Sequence, residues 1–422
     1  MPFSQRWQEI RTGFERPFWI ANISELFERF SYYAVFAVLA RYLHEGLHFD
    51  VERASSLTGM FGGWVWFLAV VGGAIADRLG FRRALSLAYL FLSIAYFTFG
   101  SIGASWFAPV RNAVPLVPLV AIVLMLPALG VALVKPSVVG TTARSSNENV
   151  RSVGYSIYYT LVNVGSTAGP LYAGWEQDHG RTGNVFRIAA LSVFLMLFLV
   201  LLLFKEPRRA SDAPAATLSQ VGKNFLTVLS NPRFMFFLAI FTGYWIVFWQ
   251  EFIALPLYIS GYIDPKANTA RILATDPIVV ICFTMLIGFL TKKLHAFHAI
   301  VLGTLITSVA WILLIIHPSV WMAVATLVVV AIGEITQAPR YYDYISRLAP
   351  ADQQGTYMGF AFLPLGVGSF IAGPFSGWLM HHYGEELHKP EMVWWSVVGV
   401  GVATTLLLLI YDRFVRQEKA TT

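Results

Sequence analysis

The sequence predicts an all-α polytopic membrane protein with twelve spans arranged as two six-helix pseudo-repeats, and three observations predict it. Hydrophobic residues make up 56% of the chain and charged residues only 13%. The mean hydropathy is +0.61, which lies far from a soluble domain. At about 20 residues per span plus short loops, 422 residues leave room for roughly twelve crossings. Finally, small-residue and proline elements recur in corresponding places of the two halves, as two parallel repeats require.

Hydropathy places spans near residues 17–42, 55–76, 84–104, 115–142, 152–174 and 183–204. Six more follow near 234–260, 275–291, 299–316, 319–341, 355–380 and 391–411. The expected organisation is an N-terminal bundle over 1–204, a cytoplasmic linker over 205–233 and a C-terminal bundle over 234–422. With both termini cytoplasmic, and with Arg41, Arg187 and Arg340 at span ends counted with the adjoining loops, 20 of the 30 Lys and Arg fall on the inner side and 8 on the outer, leaving Arg29 and Lys135 deep within spans. That is the positive-inside bias. The net charge of +6 therefore reports orientation toward a lipid bilayer and argues against a nucleic-acid partner. No removable signal peptide is expected ahead of the first span. Cys282, the single cysteine, lies in a span and excludes an intramolecular disulfide.

The first span carries Glu25-Leu-Phe-Glu28-Arg29-Phe-Ser-Tyr32-Tyr33. At helical spacing, positions 25, 28, 29 and 32 share one face. Charges at membrane depth are costly unless paired or wetted, so this stripe reads as facing a polar cavity. The competing reading is an inert ion pair tying the span to a neighbour, but two acids against one base leave a charge over. Arg6, Arg11 and Arg16 precede it as cytoplasmic anchors. The second span is rich in small residues and tryptophan (Gly59, Gly62, Gly63, Trp64, Trp66), a helix-packing surface.

After it comes Gly72-Gly73-Ala-Ile-Ala-Asp77-Arg78-Leu-Gly80-Phe-Arg82-Arg83. Its glycines suit a tight turn, Asp77 can cap or pair at a helix end, and the arginines suit the headgroup region. The fourth span contains Gly130 and Lys135-Pro136. Lys135 lies well in from Arg144, and the proline suggests a local opening of the backbone, so a cavity-facing cation is favoured over one that snorkels. In the fifth, Asn163 falls four residues after Tyr159, making another one-sided polar face, while Gly165, Ser166 and Gly169 suit packing. In the linker, residues 210–216 form a small-residue run and residues 217–230 suit an interfacial amphipathic helix.

The repeat shows in Ala168-Gly169-Pro170 with Gly174-Trp175, echoed by Ala372-Gly373-Pro374 with Gly377-Trp378, and in Gly165-Ser166 echoed by Gly368-Ser369. The second half adds two acids within spans. Glu251 follows Gln250 in the seventh, and Glu334 lies in Gly333-Glu334-Ile-Thr-Gln337-Ala-Pro339 of the tenth. Either can be held protonated by burial, which makes it titratable.

The loop after the second span resembles the G-x-x-x-D-R-x-G-R-R signature of the major facilitator superfamily. Within that superfamily the chain resembles the proton-coupled oligopeptide transporters. Glu25 to Tyr33 is similar to their E-x-x-E-R-F-x-Y-Y. Gly130 to Pro136 resembles G-x-G-x-x-K-P with Ala132 at the second glycine, and Tyr158 to Ser166 resembles F-Y-x-x-I-N-x-G-S with Val162 for isoleucine. Gly333-Glu334 through Pro339, Leu348-Ala349-Pro350 and Met358-Gly359 follow the tenth-span pattern. The resemblance implies a twelve-helix facilitator fold that carries small peptides or similar zwitterions with protons as coupling ion and no cofactor. It implies that Glu25, Glu28 and Lys135 couple protons and that Arg29 and Lys135 meet the peptide carboxylate. It further implies that Glu334 receives the amino end and that Asn163, Tyr32 and Tyr33 hold the peptide backbone. Asp77, Arg78 and Arg82 would belong to a conformational-switch loop, and Gln250 and Glu251 are candidates for a gate or a second proton site.

The chain departs from that pattern where an arginine commonly follows the tyrosine pair. Here Ala34-Val35-Phe36 stands, and no basic residue occurs before Arg41. The acid-glutamine order of the seventh span is reversed, and the linker is too short for the two extra helices of many bacterial relatives. All nine histidines fall in loops or near span ends, so proton coupling would run through carboxylates. The expected setting is the inner (plasma) membrane, as a monomer. A facilitator carrier for another organic anion or drug is the rival reading. A non-transporting peptide receptor ranks below it, because no long soluble domain is present. An enzyme ranks lower still, since the spans hold neither a metal-ligand cluster nor a nucleophile–base pair.

Overall fold

A computed structural model describes residues 12–207, 218–350 and 353–421. It is almost entirely helical; one isolated bridge, Phe14 to Ser146, is the β-structure among the described residues. The principal helices are α1 (Arg16–Arg41), α2 (Val51–Leu79), α3 (Phe81–Ser101), α4 (Leu116–Arg144), α5 (Arg151–Asp178), α6 (Thr182–Leu203) and α7 (Leu218–Leu229). They continue with α8 (Pro232–Phe248), α9 (Thr275–Thr291), α10 (Ala296–Ala310), α11 (Val320–Leu348), α12 (Leu363–Leu379) and α13 (Glu391–Thr421). Among the described residues, ten helical segments are long and apolar enough to cross a membrane. α1 and α5 are as long, at 26 and 28 residues. Their in-span polar residues, Glu25, Glu28, Arg29 and Asn163 among them, lower their hydropathy.

Each expected span coincides with a helix; three are interrupted, one at Trp311 between α10 and Ile312–Ile316, and proline explains the other two. α8 gives way to a 3₁₀ turn at Trp249–Glu251 and resumes as Ala254–Tyr258. Pro256 has no N–H for the Phe252 carbonyl four residues back, and its ring crowds that oxygen. Gln250 and Glu251 therefore sit at a break instead of on a regular helix. Likewise Gln354–Phe360 and α12 are separated at Ala361–Phe362, because Pro364 has no N–H for the Phe360 carbonyl four residues back. α4, by contrast, runs unbroken through Pro127 and Pro136. In the linker, α7 is the amphipathic helix expected there, packing Phe225 on Phe360 at 4.4 Å. Arg6, Arg11 and the 210–216 run lie outside the described residues.

Backbone contacts divide the chain into two units. One comprises Met1–Val35 and Leu68–Val221, the other Phe36–Phe67 and Gly222–Thr422. The last turns of α1 and the first half of α2 thus belong with the carboxy-terminal helices. In the first unit, α3 packs against α4 and α6. In the second, α10 packs against α11 and α13, and α12 against α8. There the small residues of α2 act as packing surface: the Ser369 hydroxyl donates to the Gly59 carbonyl at 2.9 Å, and Gly59 abuts the backbone of Gly373. A side chain on either glycine would separate α2 from α12.

Candidate functional site

In the first unit the charges of α1 are inside the protein. Glu25, Glu28 and Arg29 are 1%, 0% and 2% exposed. The Arg29 Nε donates to Glu28 Oε2 and lies 3.5 Å from Glu25 Oε1. The guanidinium also sits over the Tyr32 ring at 5.2 Å, and Tyr33 meets Tyr32 edge-on. The one-face spacing of 25, 28, 29 and 32 is therefore realised in contacts. Both oxygens of Glu25 and one of Glu28 have no hydrogen-bond partner among the described residues.

Lys135, half-buried on α4, is within electrostatic reach of Glu25, Glu28 and Arg29. With it the group holds two acids and two bases, so the surplus negative charge of α1 alone is offset from α4. Asn22 fixes the register between these helices: its amide donates to the Phe18 carbonyl at 2.8 Å and to the Thr142 hydroxyl at 3.1 Å. Tyr89 and Tyr96 of α3, both buried, complete the surroundings of the two glutamates. Sequence reasoning missed these tyrosines, because aromatic residues in an apolar span carry no distinguishing signal.

α5 reaches this group through its glycines. A side chain at Gly165 would meet the Leu26 carbonyl, the Arg29 Cβ and the Phe30 nitrogen. Asn163 is half-buried, and its amide donates to the Tyr159 carbonyl at 2.8 Å. An open recess of about 670 Å³ lies along the same helix, lined by Arg151, Ser152, Tyr155, Ser156, Tyr159 and Thr160. It ends one turn short of Asn163 and contains none of the buried charges.

The loop between α2 and α3 is held from two distant places. Gly80 turns the chain with φ +81°, a conformation glycine adopts without strain. Asp77 accepts from Arg144 of α4 at 3.0 Å, so it pairs across helices. The cap comes from Glu206, whose two oxygens accept from the Phe81 and Arg82 amides at 2.8 Å each. The Arg82 side chain in turn donates to the Leu201 carbonyl at 2.6 Å, while Arg78 is exposed. A carboxylate on two orphan amides at a helix start complements the helix dipole. Replacing Glu206 with alanine is expected to cost about 1 kcal/mol, as loss of an N-cap does. Thermal unfolding of the purified protein measures it.

In the second unit Gln250 is tied into packing: its oxygen accepts from Ser376 of α12 and its amide donates to the Ile246 carbonyl. Glu251 beside it is fully buried with neither oxygen hydrogen-bonded among the described residues. Glu334 is half-buried on α11. A third acid, Asp276 in the first turn of α9, is also buried and was not anticipated. Beside the first-turn proline it reads as an ordinary helix-start residue.

Where the family pattern has an arginine, Phe36 stacks on Phe252 at 4.7 Å with planes 3° apart, flanked by Trp249 and Phe61. One turn on, Arg41 pairs with Glu45 and donates to the Ala267 and Pro265 carbonyls at 2.8 and 2.6 Å. The position is thus closed by aromatic packing, with the guanidinium displaced to the next turn.

The chain matches the sequence profile described as Major Facilitator Superfamily over residues 21–265 and 267–421. Relatives include the multidrug resistance protein MdtH of Salmonella arizonae and that of Salmonella paratyphi B. Each is 22% identical over 342 residues, covering 81% of this chain and 80% of the relative. Two solved structures of a POT family transporter superpose with a TM-score of 0.79 at 19% identity over 95% of this chain and 96% of theirs. One is in complex with 5-aminolevulinic acid, the other with a thioalcohol-conjugated peptide. A peptide transporter POT in complex with sulfate gives a TM-score of 0.77 at 18% identity over 97% and 98%.

Proposed function

From the premise that the chain belongs to the Major Facilitator Superfamily, we propose that it is a proton-coupled symporter of di- and tripeptides or similar small zwitterions. It works by alternating access in the inner membrane. In this reading the chain crosses twelve times with both termini inside, acts as a monomer, and comprises bundles 1–204 and 234–422 joined by 205–233. The observation that carries it is the buried Glu25–Glu28–Arg29 group with Lys135 in electrostatic reach. A proton delivered to one of these carboxylates removes the charge that engages Arg29. The arginine and Lys135 are then released to take a substrate carboxylate. Glu334 receives the amino end, and Asn163, Tyr32 and Tyr33 hold the backbone. The loop with Asp77, Arg78 and Arg82 exchanges partners as the states interconvert. An inside-negative potential of 100 mV would contribute about 2.3 kcal/mol per proton carried inward.

Uptake of alanyl-alanine into liposomes tests this. An imposed inward proton gradient is expected to drive accumulation, and Glu28→Gln to abolish the gradient dependence. Uptake indifferent to both would overturn the coupling. A second reading, export or import of an organic anion or drug, is favoured by the likeness to proteins named for multidrug resistance. A thermal-shift screen across dipeptides, amino acids and drugs separates the two.

A further inference from the structure

The first three turns of α5 carry a polar face that the buried charge group does not use. Between Arg151 and Thr160 the exposed residues are Ser152, Tyr155, Ser156, Tyr159 and Thr160, and each bears a hydroxyl. Intervals of three and four put them on one side of the helix, where they line the recess of about 670 Å³. The next helix of the same unit shows the contrast. From its middle onward α6 exposes Leu191, Phe194, Leu195, Phe198 and Leu201, an apolar row suited to acyl chains. A row of hydroxyls on a membrane-spanning helix faces water or a polar solute instead.

The recess has a donor end and an acceptor wall. Arg151 stands at its start, half-buried, and its Nε is buried with no acceptor among the described residues. Arg29, Arg144 and Arg181 of the same unit each hold a carboxylate; Arg151 holds none among the described residues. Further along, the hydroxyls are engaged by the helix itself. Ser156 donates to the Ser152 carbonyl at 3.1 Å and Thr160 to the Ser156 carbonyl at 2.8 Å, as Asn163 does to Tyr159. A hydroxyl whose one proton is so placed offers only lone pairs to a ligand. A matching solute therefore has an anionic group for the guanidinium fork and N–H donors along its length. A phosphate ion or a lipid headgroup supplies the first feature without the second.

We propose that Arg151 and this face of α5 form a second substrate subsite, which takes a small N–H-bearing carboxylate such as a peptide-like zwitterion between the buried charge group and the cytoplasm. This rests on the transport reading above, in which α5 starts at the cytoplasmic side, and deepens it by giving the release path a binding position of its own. Arg151 holds the carboxylate, and the Ser156 and Thr160 oxygens accept from the N–H groups. Asn163, one turn further on, joins this subsite to the buried group.

Equilibrium binding of radiolabelled alanyl-alanine to the purified full chain tests this, with thermal unfolding to show that each variant is folded. The wild type is expected to show two classes of site. Arg151→Gln should weaken one class by about 10- to 100-fold, the loss of a hydrogen bond to a charged group, and leave the other in place. Arg151→Lys keeps the charge without the fork and should recover part of the loss. Lys135→Gln should do the reverse of Arg151→Gln, removing the other class and sparing this one. A single class in the wild type, or two classes unchanged in a folded Arg151→Gln protein, overturns the inference and leaves the peptide reading intact. If alanyl-alanine does not bind but N-acetylglycine does, and Arg151→Gln abolishes that binding, the peptide reading fails and the subsite stands. Inorganic phosphate that competes at this site as well as alanyl-alanine overturns it in favour of a general anion site. Phosphatidylglycerol retained by the wild type and lost from Arg151→Gln, with no carboxylate bound there, overturns it in favour of a lipid headgroup. No response to any probe overturns both readings.

Discussion

Arg29→Met is expected to lower the stability of the folded protein by about 3–5 kcal/mol, the cost of stranding a buried charge by removing its partner. The side chain is fully enclosed, and it is the group that directly contacts both glutamates. Removing it leaves two carboxylates a few ångströms apart with only Lys135 to offset them. Methionine keeps much of the volume, so the loss reports charge and not a cavity. Adding Glu25→Gln and Glu28→Gln to the same chain should recover part of the stability, because the stranded carboxylates disappear and only the half-buried Lys135 is left without its acids. Thermal unfolding of the single and triple variants measures both. A single variant as stable as the wild type would mean that water reaches the pair. The triple variant, more stable than the single one but without the carboxylates that take up a proton, should show no proton-dependent substrate binding, which separates the structural from the coupling role of the arginine.

That the α1 charges form one group was legible in the sequence, because intervals of three and four residues put side chains on one helical face whatever the rest of the fold does. Lys135 was legible as a cation with nowhere cheap to go. What could not be read was any partnership across long chain separations. Asp77 presents itself as a cap, yet it pairs with Arg144, and the amides it might have capped are taken by Glu206 from beyond α6. Nothing local distinguishes Glu206 from another linker acid. Asp276 was lost for a related reason: an acid in a first helical turn is favoured by the dipole alone, so its burial beside Glu251 and Glu334 leaves no mark on the sequence. The interruption at Trp249–Glu251 was readable in principle from Pro256, since proline acts on the carbonyl four residues back. Phe36 shows the converse case. The missing arginine was visible, but its aromatic replacement depends on Phe252 and Trp249, more than 200 residues away.

The two units also show how one scaffold divides its electrostatics. Both bury acids next to a helix held close by small residues: α5 against α1 through Gly165, and α12 against α8 through Gly368. Among the described residues, only the first also has a buried base, Arg29. A neutral group can exchange internal partners as protons and substrate arrive. The repeat thus fixes helix packing, and the charges placed on it set what each half can do.

Gly165→Ala is the smallest change expected to disturb the first of these groups strongly. The added Cβ would lie 2.6 Å from the Leu26 carbonyl, 2.8 Å from the Arg29 Cβ and 3.0 Å from the Phe30 nitrogen. Two of these are backbone atoms, and no rotamer change relieves them. The helices must therefore separate, and overpacking of this kind costs about 1–3 kcal/mol. Because Arg29 is itself one of the displaced neighbours, its distances to Glu25 and Glu28 change with the helix spacing. The variant should therefore show a raised half-saturation for substrate as well as a lower unfolding temperature, and Gly165→Leu should fail to accumulate in the membrane. Gly288→Ala provides the comparison. Gly288 is also inside a helix, but nothing lies within 4 Å of the position its Cβ would take, so the usual preference of helices for alanine should raise stability by about 0.5–1 kcal/mol. Opposite signs at two helical glycines, read by thermal unfolding and by uptake, would establish that α5 holds the arginine in place by contact of backbones. Equal effects at both would mean that α1 and α5 are free to move apart without cost.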